Sequence, residues 1–250
     1  GSGGVTLSGV HRFEDNDSDG LVVSSKGAIT AGAITASGNG GGGASLRNDG
    51  ASTAQPVKLT GAGVFNDNAD DGLYIYSKGA ISAVGLTASG NDPGFGARIA
   101  NEVAQAVTLA GTNAFNNNRY GGLVVSSLGA ITLNSVSASD NGAGSSYTGA
   151  EIRNASGTQP IKLTGTNTFS GNTYRGLDLA SKGSITISNL TASDNGYDGA
   201  YLWHHDPDTV GSVTLSGANT FRDNSNVGLW IQSLGAITLN SVTASGNSAG

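Results

Sequence analysis

The sequence predicts an all-β protein, a single-stranded parallel β-solenoid of about ten coils with two coils in each repeat of about 52 residues. Three observations predict it. A long phrase begins at Val5, Val57, Val107, Ile161 and Val213, at intervals of 52, 50, 54 and 52 residues. Fixed-period self-similarity of strand-like phrases marks a stacked repeat architecture. Each long phrase contains a shorter one twice, and each short phrase carries one asparagine at an equivalent place: Asn16, Asn39, Asn68, Asn91, Asn118, Asn141, Asn172, Asn195, Asn224 and Asn247.

Each repeat opens on a strand such as VTLSG, where alternation sends the apolar pair inward and leaves Thr6, Lys58, Thr108, Lys162 and Thr214 outward. In the second halves the outward partners are Thr30, Ser82, Thr132, Thr186 and Thr238, so one face carries a Thr/Ser column broken by two lysines. Next comes Phe-x-x-Asn-x-x-x-Gly-Leu, read as a corner. An inward asparagine there can bond to its own backbone and to the asparagines above and below, and the glycine four residues on supplies either positive φ or close approach. An ordinary solvated Asn-Gly loop is the alternative, and recurrence at ten equivalent positions favours the ladder. Phe13, Phe65, Phe115, Phe169 and Phe221 sit three before the asparagine in first halves, and Ala36, Ala88, Ala138, Ala192 and Ala244 in second halves. Large and small residues then alternate up one interior column, which explains the two-coil period. The strand after the corner puts Val22, Tyr74, Val124, Asp178 and Trp230 outward, interleaved with Ser45, Arg98, Glu151 and Tyr201. Stacking at about 4.8 Å gives a rod on the order of 45 to 50 Å long.

Composition fits this reading. The chain has 41 glycines and 4 prolines in 250 residues, a net charge of −6 and no cysteine. Disulfides, thiolate metal sites and cysteine nucleophiles are excluded. Twelve scattered Lys and Arg residues argue against nucleic acid. No apolar run approaches the roughly 18 residues that would insert in a membrane. The chain has no Met and begins Gly1-Ser2-Gly3-Gly4, which reads as a linker at 1–4 on an excised fragment. Residues 5–250 form one continuous solenoid with repeats 5–56, 57–106, 107–160, 161–212 and 213–250. The turn GAGSSYTG at 142–149 and the loops at 48–52 and 204–208 interrupt its regularity, and such loops are where binding is grafted.

On the asparagine pattern and phrases such as SLGAITLNSVTASGN at 233–247, the chain resembles the right-handed parallel β-helix repeats of bacterial surface adhesins, pectin-degrading enzymes and phage tailspikes. It is also similar to filamentous-haemagglutinin-like exoproteins. The resemblance spans the whole chain and implies a right-handed coil and an extracellular or cell-surface location. It says little about chemistry.

Pectin-active members of such families cluster carboxylates with a basic residue on one exposed face. Here Arg98, Glu151, Arg153 and Asp178 share a face but are spread over several coils, and Asp70-Asp71 falls in a turn. No catalytic residue is assigned, and a polysaccharide lyase or hydrolase ranks below a structural role. The segment EDNDSDG places Asp15, Asp17 and Asp19 at the spacing that wraps oxygen ligands round Ca²⁺, the one cofactor the sequence suggests. In register, however, it is an acidic version of the recurring turn, and a closing Glu is missing. His204-His205-Asp206 reads as a surface turn ahead of Pro207 rather than as a metal site. The aromatic residues Tyr201, Trp203 and Trp230 fall on neighbouring coils, with Tyr74 and Tyr76 as a second patch, and exposed rings stack on sugars. Coverage of a sheet edge and chain-to-chain contact are the competing readings. The threonine column suggests ice binding, against which stand Lys58, Lys162 and a second column that is only partial. The function expected is a stiff extracellular stalk or adhesin segment, self-associating through the open solenoid ends, with a glycan-binding module as the alternative.

Overall fold

In the computed structural model the chain is a parallel β-solenoid; residues 3–101, 103–143, 146–154, 156–204 and 211–249 are described. Every coil lays strands on three faces. The first and second faces belong to one 18-stranded sheet, and the third is a 9-stranded sheet. All pairings are parallel, and each coil pairs with the next one in the chain. Ten asparagine corners are present, but the third face has nine strands, from Leu21–Ser24 to Leu229–Gln232. The rod thus has nine full turns rather than ten, with Ile237–Leu239 and Val242–Ser245 extending the first two faces by one rung.

The asparagine ladder is continuous. Each Nδ2 donates to the Oδ1 of the next asparagine, from Asn16 to Asn39 at 2.8 Å through to Asn224 to Asn247 at 2.9 Å. The same Oδ1 also takes the preceding asparagine's backbone N–H. A buried amide with its partners satisfied in this way carries no desolvation debt. Positive φ falls on the residue before the asparagine: Asp15, Gly38, Asp67, Gly90, Asn117, Asp140, Gly171, Asp194, Asp223 and Gly246. The glycine after the corner is needed for close approach instead. A Cβ on Gly72 would lie 2.5 Å from the Phe65 carbonyl oxygen and 2.7 Å from Asn91 Nδ2.

The interior follows the predicted alternation. Phe65, Phe115, Phe169 and Phe221 are fully buried, and the alanines Ala36, Ala88, Ala138 and Ala192 between them are equally enclosed. Phe221 sits opposite Ala244 in the register. Apolar strand residues such as Ile131, Leu133, Leu177 and Leu179 fill the remaining columns. The predicted Thr/Ser column lies in continuous register on the first face, from Thr6 to Thr238, and Lys58 and Lys162 interrupt it as expected. A second rank on the neighbouring face runs Ser137, Thr168, Thr191, Thr220 and Thr243.

The third corner alternates between two devices. In odd coils a Ser-x-Gly turn closes on itself, as where Gly79 N–H donates to Ser77 Oγ at 2.9 Å. In even coils an asparagine closes a longer loop: Asn48, Asn101 and Asn154 each donate to a glutamine carbonyl at 2.7 Å.

Candidate functional site

Chemistry-bearing side chains concentrate on the third face. Parallel register sets Val22, Ser45, Tyr74, Arg98, Val124, Glu151, Asp178, Tyr201 and Trp230 in one outward column, as the sequence suggests. Beside it runs a second column holding Arg47, Tyr76, Arg153 and Trp203. The corner leading into the face adds Phe95, Tyr120, Tyr147, Tyr174 and Tyr197. All nine Tyr and Trp residues of the chain therefore lie on this face or its leading corner.

The structure brings Tyr201, Trp203 and Trp230 together. Tyr201 and Trp230 stack with centroids 4.1 Å apart and planes 6° from parallel, and Trp203 lies 6.3 Å from Tyr201, tilted by 60°. Arg175 covers the Tyr201 ring at 4.0 Å, so the tyrosine is sandwiched and turns its rim outward. Tyr174 and Tyr197 stack at 4.9 Å, the coil spacing, with Arg175 over both. Tyr74 and Tyr76 form a separate group several coils away, 6.4 Å apart, with Arg98 over Tyr74 and Arg47 over Tyr76. Phe95, Tyr120 and Tyr147 make a third group. Cation–π contact of this kind contributes about 0.5–1 kcal/mol where exposed and more where desolvated.

Charges spread along the sequence converge here. Arg153 pairs with Glu151 at 2.9 Å and with Asp178 at 3.0 Å, and Arg175 pairs with Asp178 at 2.7 Å and Asp198 at 2.9 Å. Five groups thus form one alternating chain, and Asp178 is buried beneath its arginines although it points outward. Burial opposes the Arg175 cation, but hydrogen bonds to Asp178 and Asp198 outweigh it and raise its pKa. Arg98 stands apart and pairs with Asp71. Burial pushes the Asp71 carboxyl above its ordinary value, and the Phe95 amide and Arg98 pull it back only part of the way.

A depression of about 230 Å³ opens next to that pair, lined by Asp19, Gly42, Ala44, Ser45, Asp70, Asp71, Tyr74 and Arg98. Gly42 contributes no side chain to this lining and so leaves the space open. The acids of EDNDSDG do separate work. Asp15 lies in the left-handed region at φ 54°, its carboxylate against Gly38, while Asp19 accepts the Gly42 N–H at 2.7 Å. Asp17 is exposed. Among the described residues no group of three or more His, Cys, Asp or Glu side chains is arranged to hold a metal. His205, Asp206 and Pro207 lie outside the described residues.

Sequence reasoning missed Arg175 and the corner aromatics because insertions move them out of linear register. Tyr120 follows its asparagine by two residues and Tyr147 by six, yet their centroids lie 4.8 Å apart. It also missed a hydroxyl–amide ladder on the outer corner, in which Ser37, Asn66, Ser89, Asn116 and Ser139 each accept a backbone N–H from the next coil.

Comparison with protein-family models, curated proteins and solved structures finds no match to this chain.

Proposed function

We propose that the chain is a stiff structural segment of an extracellular bacterial surface protein, a stalk or adhesin rod that holds the third face clear of its support. The observation that supports this most strongly is the unbroken asparagine ladder, which runs the length of the solenoid with one polarity. A quasi-one-dimensional stack in which each coil contacts its neighbours lengthens by adding repeats without redesign of a core. Excision of residues 107–160 tests the reading. It joins Ala106 to Ile161 and preserves the Phe/Ala alternation, so the product should keep its β-sheet circular dichroism and shorten by two rungs, about 10 Å. Collapse or aggregation of the excised protein would refute a modular rod.

End-to-end association belongs to the same proposal. Asn16 Oδ1 and the Asn247 backbone N–H are complementary in polarity, and Phe13 against Ala244 continues the size alternation. A second copy stacked this way matches the first two faces and leaves one rung of the third face open. Sedimentation velocity over a concentration series should show rods growing in single-protein steps; a fixed sedimentation coefficient would remove assembly from the proposal.

A second reading is favoured by one observation, the gathering of every Tyr and Trp on one face and its leading corner. This surface suits the rims and faces of sugar rings. Beside the main aromatic group three carboxylates, Glu151, Asp178 and Asp198, share two arginines, which favours neutral over acidic glycans. Binding to a glycan array that survives the double substitution Trp203→Ala, Trp230→Ala would dismiss it.

A further inference from the structure

Asn48, Asn101 and Asn154 close the third-corner loop in three successive even coils. In the fourth the same position is His204, which sits opposite Ser181 just as Asn154 does from the other side. The ring is 6% exposed, and among the described residues neither Nδ1 nor Nε2, both shut off from solvent, makes a well-formed hydrogen bond, although the Gly183 backbone lies close enough to favour the charged ring. An amide fits this corner in one state only, whereas an imidazole gains a second N–H and a positive charge in acid.

Among the described residues no acidic partner is placed to take up that charge. Ser181, Lys182 and Gly183 lie on one side, and Gln232 and Ser233 on the other. Gly211 closes the corner, where a Cβ would approach Nε2 to 3.0 Å. Along the neighbouring strands, Asp178 and Asp198 are paired with Arg153 and Arg175 near the opposite end of the face. Among the described residues no carboxylate faces the ring; His205, Asp206 and Asp208 follow in sequence outside them.

We propose that His204 is an acid-sensitive latch: its protonation expels the ring from the corner and loosens the strand Ala200–His204, carrying Tyr201 and Trp203 with it. Burial holds the histidine below its ordinary pKa, opposed in part by the Gly183 carbonyl. The sign follows. The stability from the neutral buried ring is complete above the unfolded value of about 6.5 and is lost as pH falls through the lowered folded value. The acid-labile element is thus the strand that carries the main aromatic group, while the asparagine-closed corners do not respond.

The two tryptophans of the chain are Trp203, adjacent to His204, and Trp230 on the next rung, so intrinsic fluorescence reports on this strand. Between pH 7 and 5 the emission should shift to longer wavelength while far-ultraviolet circular dichroism stays constant, and amide exchange at 200–204 should accelerate at least tenfold relative to 150–154. His204→Asn, which installs the asparagine of the other three corners, should abolish both changes, and His11→Asn should retain them. A flat fluorescence profile in the unmodified protein, or a transition that persists in His204→Asn, would overturn the latch. Exchange that accelerates equally in all coils would do the same, and this last readout needs no variant to fold.

Discussion

Replacing Asn118 by alanine tests the ladder where it is most enclosed. Asn118 Oδ1 accepts from the Asn91 backbone N–H at 3.1 Å and from Asn91 Nδ2 at 2.8 Å, and its Nδ2 donates to Asn141 Oδ1 at 3.0 Å and to the Ala88 carbonyl at 3.1 Å. The side chain is 1% exposed, so water cannot take over these roles. Truncation strands two N–H groups of Asn91 and weakens the bonding of one carbonyl; Asn141 Oδ1 keeps the backbone N–H of residue 118. At about 1–3 kcal/mol for each stranded group, the loss should be about 2–6 kcal/mol. Asn16 gives the control. Its side chain donates to Asn39 and accepts nothing from a preceding rung, so Asn16→Ala should lose only about 0.5–1.5 kcal/mol. Urea unfolding followed by circular dichroism at pH 7 measures both. Equal losses at the two positions, or less than about 1 kcal/mol at Asn118, would refute the ladder as a source of stability. Asn118→Asp sharpens the test, because a carboxylate can accept from Asn91 but faces two acceptors on its other side. Its folded pKa should be raised, so its stability relative to the unmodified protein should be highest in acid and fall as pH rises through that value.

Phe115→Ala should leave a cavity and lose about 3–5 kcal/mol, and Ala138→Phe should also destabilise, by about 1–3 kcal/mol or more, because it sets three rings on consecutive rungs; calorimetry of the pair checks both, and a neutral Ala138→Phe would break the packing argument. At Asp71, burial raises the carboxyl, so that group's contribution to stability is present below its ordinary pKa and lost as pH rises through the raised value. Asp71→Asn should therefore gain in urea midpoint relative to the unmodified protein between pH 3 and 7; a relative midpoint that falls over that range contradicts the assignment.

The coil was legible because its specification is redundant. Ten asparagines and ten alternating Phe and Ala positions state the same corner repeatedly, and strand alternation then fixes which residues point outward. The third-face site was legible only where linear spacing survives, as at Tyr201, Trp203 and Trp230. Partners on neighbouring rungs are 23 to 31 residues apart along the chain, and each inserted turn residue changes that offset. Arg175 shows the consequence. It sits before Gly176 in an unremarkable turn, yet it joins Tyr174 and Asp178 of its own coil to Tyr197, Asp198 and Tyr201 of the next. The positive φ at Asp15 and Asp67 was hidden for a different reason: aspartate enters the left-handed region more readily than most side-chain-bearing residues, so composition points to glycine first.

The unit of this rod is two coils, and the third corner shows why. Ser77 Oγ donates to the Gln55 carbonyl at 3.2 Å, Ser127 Oγ to the Gln105 carbonyl at 3.2 Å and Ser233 Oγ to the Gly211 carbonyl at 2.9 Å. Each tight odd coil therefore clamps the end of the loop on the even coil before it. Phe above Ala imposes the same parity in the interior. Excision of a single coil, residues 118–140, would set Phe115 against Phe169 and the Asn101 loop against the Asn154 loop, so both devices would fail at once. That product should unfold at markedly lower urea than the two-coil excision of 107–160, although it removes fewer residues. If the single-coil product were the more stable, stacking would depend on backbone ladders alone, and the paired repeat would have no physical cause.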